Sequence, residues 1–197
     1  AGTVPGVCGE TIRKVFYSRV KPRDRLAAWV RLLALTAARP ERPFEAAVIG
    51  RARSGAHHAQ VTLARVPVLG GDPFARRELA LSELAVLLDL YDRGMREPLP
   101  LACEASAAYA QAAAAGDDAE AAARGVWETT FGYDKEDRQP EHVLVYGGAI
   151  ALPKLLDELP RTDERGEGWD QSEPTRFGRY ARRLWDGLLA RQDVSDR

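Results

Sequence analysis

The side chains that could cut a phosphodiester are carboxylates that hold a metal ion and a lysine placed beside them. Lysine occurs at only four of the 197 positions. These are Lys14, Lys21, Lys135 and Lys154. None of them follows an acidic residue at the end of a predicted strand. Gly70-Gly71 belongs to neither a Gly-x-Gly-x-x-Gly nor a Gly-Lys-Ser/Thr motif, so no nucleotide-binding fingerprint is predicted either.

The elements that would have to position such a site are two strands followed by a helix. β-Branched and apolar residues predict strands over Val4–Val7 and Thr11–Ser18. Apolar residues at helical spacing predict a helix over 24–38, with Asp24 as its N-cap and Trp29 in the core. This order resembles metal-dependent nucleases of the PD-(D/E)XK type.

That resemblance identifies the positions at which such a nuclease carries its catalytic residues. The carboxylate positions correspond to Pro5 and Phe16 and the lysine position to Ser18, while a Gln and Tyr pair on the helix corresponds to Arg25 and Trp29. Proline and phenylalanine have no side-chain oxygen that could bind Mg²⁺. We therefore predict no catalytic residue and no metal site.

Further along the chain, the patterns predict one hairpin, several helices and one more strand. The hairpin comprises Phe44–Ala52 and His58–Val66, and its two adjacent histidines, His57 and His58, are interpreted as a surface feature because neighbouring strand side chains diverge. Helices are predicted over 74–95, 105–115, 117–127, 152–159 and 175–191, a strand over 142–146 and a mobile loop over 160–174.

These elements predict an α/β fold, a mixed sheet flanked by helices with a helical C-terminal extension. One domain over 1–197 is expected, with a core at about 1–100 and the extension at about 101–197. Because the chain begins almost inside a strand and without methionine, we interpret it as a fragment of a longer polypeptide. The absence of a leader or a long apolar run predicts a cytoplasmic protein without membrane contact. Cys8 and Cys103 are expected to be reduced.

Charge is distributed unevenly along the chain. Residues 1–66 carry 12 Lys/Arg against 4 Asp/Glu, whereas residues 67–197 carry 16 against 25. A basic half suits phosphates, which require positive charge and no fixed motif, or an acidic protein surface. The candidate DNA-binding residues are Arg13, Lys14, Arg19, Lys21, Arg23, Arg51 and Arg53.

Two further stretches of sequence carry a second, more specific resemblance, which extends over nearly the whole chain. They are Tyr17–Pro22 with Arg25–Leu35, and Leu90–Leu101. Together with the degenerate nuclease positions, they resemble the C-terminal domain of RecC, the gamma subunit of exodeoxyribonuclease V (RecBCD). The resemblance implies a restriction-endonuclease-like fold without catalysis, in a complex for double-strand break repair by homologous recombination.

The same resemblance implies the partners and cofactors. RecB and RecD would be the partner subunits, and double-stranded or forked DNA the nucleic acid. ATP and Mg²⁺ would be used by the partner subunits of this ATP-dependent exodeoxyribonuclease, with no cofactor in this fragment. Two alternatives remain open. One is a protein–protein scaffold without DNA contact, and the other is an active nuclease with ligands such as Asp72, Glu78 or Asp89.

Overall fold

The computed structural model describes residues 2–52 and 60–197. Within these residues the chain forms an α/β fold with five strands and seven α-helices, which confirms the predicted class. The strands are β1 (Val7–Cys8), β2 (Thr11–Arg19), β3 (Glu45–Arg51), β4 (Val61–Val66) and β5 (Asp193–Asp196). The helices are α1 (Pro22–Ala38), α2 (Pro73–Gly94), α3 (Cys103–Ala115), α4 (Ala119–Trp127), α5 (Pro140–Tyr146), α6 (Leu152–Leu156) and α7 (Arg176–Leu189).

The five strands form one mixed sheet in the order β1-β2-β3-β4-β5. Strands β2 and β3 are parallel, and α1 connects them as a crossover helix. The remaining pairs are antiparallel. The described chain folds as two compact units, Ala1–Leu88 with Leu188–Arg197, and Asp89–Gly187. All five strands belong to the first unit.

The core of the first unit lies between α1 and one face of the sheet. Alternate residues of the strands are buried on this face, because successive side chains of a strand point to opposite sides. The buried strand residues include Ile12, Ala46, Val48, Ala64 and Val66. From α1 they meet an apolar stripe that includes Ala28, Trp29, Leu32 and Leu33. Trp29 is therefore a core residue, as the helical spacing predicted.

The start of α1 differs from the prediction. The helix begins at Pro22, where a proline is well tolerated in the first turn. Asp24 is accordingly not the N-cap, since it lies inside the first turn at the third helical position. Its carboxylate accepts a hydrogen bond of 3.2 Å from the backbone N–H of Lys21, which is the N-cap residue. The acidic side chain thus still stabilises the helix start.

The second unit is helical, and buried aromatic side chains hold it together. Trp127 and Trp185 are fully buried, and each indole N–H donates a hydrogen bond: Trp127 to the carbonyl of Ile150 at 2.8 Å and Trp185 to Ser106 Oγ at 2.9 Å. Such pairing removes the cost of burying a polar N–H among apolar groups.

A buried ionic cluster links α7 to the segment before it. Glu164 is fully buried and accepts hydrogen bonds from Arg176 Nε at 2.8 Å and from the Tyr180 hydroxyl at 2.8 Å. The same guanidinium donates to Glu158 at 2.9 Å and to Glu97 at 2.6 Å. Although burial opposes its charge, these three carboxylates raise the pKa of Arg176. Residues 160–174 were predicted to be a mobile loop, and this cluster explains why part of the segment is buried instead.

Two further elements differ from the sequence prediction. Residues 142–146 were expected to form a strand but belong to α5, because Pro140 starts a helix there and His142 and Tyr146 then pack against Trp127. At the N-terminus, the strand expected over Val4–Val7 is confined to Val7–Cys8. Among the described residues, no helix combines the length and apolar character that crossing a membrane requires.

Candidate nucleic-acid interface

The face of the sheet opposite α1 carries most of the predicted basic strand residues. None of its side chains is buried, and we call it the open face. Its members on β2, β3 and β4 are Thr11, Arg13, Val15, Tyr17, Arg19, Glu45, Ala47, Ile49, Arg51, Val61, Leu63 and Arg65. Strand pairing places these residues on one side, since side chains at paired positions share a face.

Three predicted DNA-binding arginines meet on the open face. Arg13 is opposite Ala47, and Arg19 is the direct neighbour of Arg51 across the β2–β3 pair. All three arginines are exposed. Neighbouring like charges on paired strands repel each other, and a polyanion would relieve that repulsion. The arrangement therefore suits a phosphate backbone.

An irregularity in β2 lies between these arginines. Val15 pairs with Ile49 and Arg19 with Arg51, so four steps along β2 match only two along β3. The extra residues form a bulge, which re-aims side chains locally. The bulge passes so close to Gly50 that a Cβ there would lie 2.5 Å from the Ser18 carbonyl oxygen. Glycine at position 50 is what permits this close approach.

Tyr17 lies in this bulge and is the residue that sequence reasoning missed. Its side chain is 86% exposed, and the Arg51 guanidinium lies 5.8 Å from the centre of its ring. Both numbers place the ring on the open face, beside the arginines. The sequence offered no clear signal for this placement, because the regular alternation of side chains along β2 is interrupted by the bulge.

Lys14 differs from the arginines because it lies on the α1 side of the sheet. Its Nζ is 2.7 Å from Asp24 Oδ1 and 5.2 Å from the centre of the Phe16 ring. A lysine paired in this way has less to offer a phosphate than an exposed arginine has. Lys21 and Arg23 are exposed at the start of α1, and Arg53 lies outside the described residues.

Arg65 is a further basic residue of the open face, but a carboxylate compensates its charge. Its Nε lies 3.1 Å from Glu45 Oε2, and the Thr11 hydroxyl donates to the other oxygen at 3.1 Å. The hydrogen bonds from Arg65 hold the pKa of the Glu45 carboxyl below its usual range, although partial burial acts in the opposite direction. Arg13, Arg19 and Arg51 are the other basic residues that β2 and β3 place on the open face.

The residues matched from the sequence to catalytic positions of a nuclease do not include these arginines. Pro5 is exposed and precedes β1, while Phe16 and Ser18 lie in the β2 bulge. Arg25 lines a narrow gap between α1 and the sheet, and Trp29 is buried one turn further along the helix. Across residues 2–52 and 60–197, no three His, Cys, Asp or Glu side chains are grouped so that they could hold a metal ion.

Comparison with known families assigns the chain. The model of the RecC C-terminal domain matches residues 1–114, which is more than half of the sequence and includes the whole open face. The chain belongs to the RecC C-terminal domain family. The resemblance inferred from the residues is thereby confirmed.

Curated relatives extend the similarity beyond the matched region. Proteins named RecBCD enzyme subunit RecC from two strains of Mycobacterium tuberculosis, CDC 1551 / Oshkosh and ATCC 25618 / H37Rv, are each 39% identical over 191 residues, or 96% of this chain. RecC of Mycolicibacterium smegmatis is 39% identical over 188 residues, or 95% of the chain. The chain spans 16% of the length of each of these relatives.

The sequence left open an active nuclease with Asp72, Glu78 or Asp89 as metal ligands. In this RecC C-terminal domain, two of these carboxylates have protein partners and the third is exposed on a helix surface. Asp72 caps the start of α2 by accepting a hydrogen bond of 2.9 Å from the Ala75 backbone N–H. Asp89 is bridged by Arg93 and Arg183, each at 3.0 Å. Glu78 is exposed on α2. Carboxylates engaged with arginines or backbone amides have fewer lone pairs to offer a metal ion.

Proposed function

We propose that this chain is a non-catalytic domain that guides DNA within a RecBCD-type helicase–nuclease. In this proposal it acts in the cytoplasm in double-strand break repair by homologous recombination. It has a restriction-endonuclease-like fold, and RecB and RecD are its partner subunits. ATP and Mg²⁺ serve those partners. Family membership and the names of the relatives support the assignment to that complex.

One observation supports DNA contact above the others. Arg13, Arg19 and Arg51 are exposed on one side of the sheet, and the two strand carboxylates on that side among the described residues, Glu45 and Asp193, both lie beside Arg65. Phosphate contacts from arginine release condensed counterions and supply most of the affinity of sequence-independent DNA binding. A domain that guides any incoming end needs this kind of binding, since the sequence of the end varies.

The residue types at the nuclease positions support the absence of catalysis. Cleavage requires oxygen ligands that hold the metal against the scissile phosphate, and Pro5 and Phe16 supply none. Ser18 cannot replace a lysine as a positive charge beside the phosphate. DNA that reaches this domain would be held and directed while the chemistry occurs on another subunit.

A second candidate function is a scaffold that holds partner subunits without touching DNA. The observation that favours it is a set of exposed apolar side chains in the second unit, which includes Phe131, 96% exposed, with Tyr133 and Leu144. Exposed aromatic and aliphatic groups are typical of protein interfaces. The two functions are compatible, but only the first requires the open face to bind DNA.

Charge reversal on the open face tests the proposal. The variant Arg13→Glu, Arg19→Glu, Arg51→Glu is expected to bind a fluorescently labelled forked DNA at least about tenfold more weakly than the unmodified chain, because three phosphate contacts become repulsive. The assay is fluorescence anisotropy at fixed ionic strength, with the free energy of unfolding of each variant measured in parallel.

The matched control is Arg39→Glu, Arg77→Glu, Arg96→Glu, which changes the net charge equally at exposed positions outside the open face. This control is expected to keep most of the affinity. Equal losses in the two triple variants would mean that only net charge matters, which contradicts a defined interface. Undetectable binding of the unmodified chain at low salt would favour the scaffold function instead.

A further inference from the structure

Tyr17 is unusually exposed for a large aromatic residue, even though β2 has no strand paired on its outer side at this point. Large aromatic side chains are normally buried to a large extent, and strand positions favour tyrosine mainly because its ring can pack on neighbours. Here the ring is 86% exposed, and its neighbour along the same face, Val15, is 62% exposed. The bulge that presents the ring depends on Gly50. The local backbone therefore holds an aromatic ring out towards solvent between two arginines.

We propose that the open face binds single-stranded nucleic acid, with an unpaired base stacked on Tyr17 and the adjoining phosphates at Arg13, Arg19 and Arg51. This inference rests on the proposed function and specifies the form of nucleic acid that the open face takes. Grooves that bind single strands combine positive charge along the backbone with aromatic rings that accept bases of any sequence.

The contacts around Tyr17 fit such a ligand. Arg51 is near enough to the ring, at 5.8 Å from its centre, to restrict the ring's orientation through a cation–π contact. Arg19 pairs with Arg51 across β2 and β3, so these two arginines are neighbours on the open face close to Tyr17. A base stacked on the ring would bring its own phosphate towards this pair of positive charges.

The composition of the open face favours a single strand over a duplex. Within a duplex the bases stack on each other, and the outer surface presents phosphates and sugars, which gain little from a tyrosine ring or from Val15. Exposed apolar groups next to arginines gain more from a strand whose bases are unpaired. The charge of Arg13, Arg19 and Arg51 likewise favours a polyanion over an uncharged protein surface.

The open face is also distinct from the side on which a nuclease of this type would cut. Phe16, at a former carboxylate position, lies with Lys14 and Asp24 on the α1 side of β2. Tyr17 points the other way. The proposed binding site is therefore separate from the residues that were matched to catalytic positions of a nuclease. The resemblance to nucleases does not by itself predict it.

The test compares Tyr17→Ala and Tyr17→Phe with the unmodified chain on three probes of equal length. The probes are an oligothymidylate, an abasic strand with the same phosphates but without bases, and a blunt duplex. Tyr17→Ala is expected to weaken binding to the oligothymidylate about tenfold, the scale of one base–aromatic stack, and to leave binding to the abasic strand and the duplex unchanged. Tyr17→Phe should retain the affinity, because it keeps the ring.

Tyr133→Ala is the control, because Tyr133 is also an exposed tyrosine but belongs to the second unit and not to the open face. It should leave the affinity for all three probes unchanged. Equal weakening of all three probes by Tyr17→Ala, or no effect on any, would overturn the inference. The failures are separable. If Tyr17→Ala leaves the affinity for every probe unchanged while the arginine reversals lower the affinity for forked DNA, only the stacking site is wrong. If the arginine reversals also leave the affinity for forked DNA unchanged, the proposed function is wrong too.

Discussion

Replacing Glu164 with alanine is expected to lower the free energy of unfolding by about 3–5 kcal/mol, which is a large part of the stability of an ordinary domain. The carboxylate is fully buried, and it is the partner that Arg176 Nε contacts at 2.8 Å. Without it, a guanidinium that is itself almost inaccessible would keep its charge in the interior with part of its hydrogen bonding lost. Urea denaturation followed by circular dichroism measures the difference.

Glu158→Ala provides a matched control, because Glu158 binds the same arginine at 2.9 Å but its side chain is 53% exposed. Water can replace an exposed carboxylate, so this variant should cost less than about 1 kcal/mol. Similar losses in the two variants would contradict the view that burial makes Glu164 indispensable. The double replacement Glu164→Leu, Arg176→Met should be less harmful than Glu164→Ala, since the two carboxylates that lose Arg176, Glu97 and Glu158, are partly exposed to water.

Trp29→Ala is expected to cost about 3–5 kcal/mol of unfolding free energy, the usual range for emptying a large aromatic site in a core. The indole is 1% exposed, within the apolar stripe of α1. Trp29→Phe should cost less, because most of the volume is retained. Equilibrium denaturation of these two variants decides between a core residue and a base-stacking platform at this position.

Val30→Ala is the control on the same helix, since Val30 lies one residue further on and is exposed. It should change the stability by no more than about 0.5 kcal/mol. If Trp29→Ala were as stable as the control and instead lost affinity for single strands, the core assignment would be wrong. The stacking role would then belong to Trp29 and not to Tyr17.

The sequence was most informative for features that depend on the residues of a single helix or strand. Helical spacing identified α1 and placed Trp29 in the core. Arg13, Lys14 and Arg19 were predicted together as DNA-binding residues, although Lys14 lies on the α1 side of the sheet. The prediction that Pro5 and Phe16 hold no metal ion rests on residue type alone, because neither side chain has an oxygen ligand whatever its surroundings.

Features that depend on distant partners were not predictable in this way. Residues 160–174 have the charge and glycine content of a mobile loop, yet Glu164 is buried there because Arg176 and Tyr180 approach it from α7. The strand β5 has an ordinary polar sequence, and it forms because β4 offers an edge for pairing. The exposure of Tyr17 depends on a bulge that the sequence does not announce.

The strand predicted over 142–146 was wrong for a different reason, since this segment belongs to the helix Pro140–Tyr146. His142–Tyr146 is rich in β-branched residues, which favour strands, but a proline at the first helical position is equally a signal for a helix. The buried indole of Trp127 decides the outcome, since a helix brings His142 and Tyr146 onto one side to meet it.

The central claim is that this domain binds DNA without cutting it, and one assay measures both properties. A doubly labelled fork is titrated with the chain in Mg²⁺ over a series of salt concentrations, and strand integrity is determined at the end of each titration. We predict an intact fork and an affinity that falls linearly on logarithmic axes, with a slope reduced by about three in Arg13→Ala, Arg19→Ala, Arg51→Ala. An unchanged slope in that variant, or cleavage that a chelator abolishes, would contradict the claim.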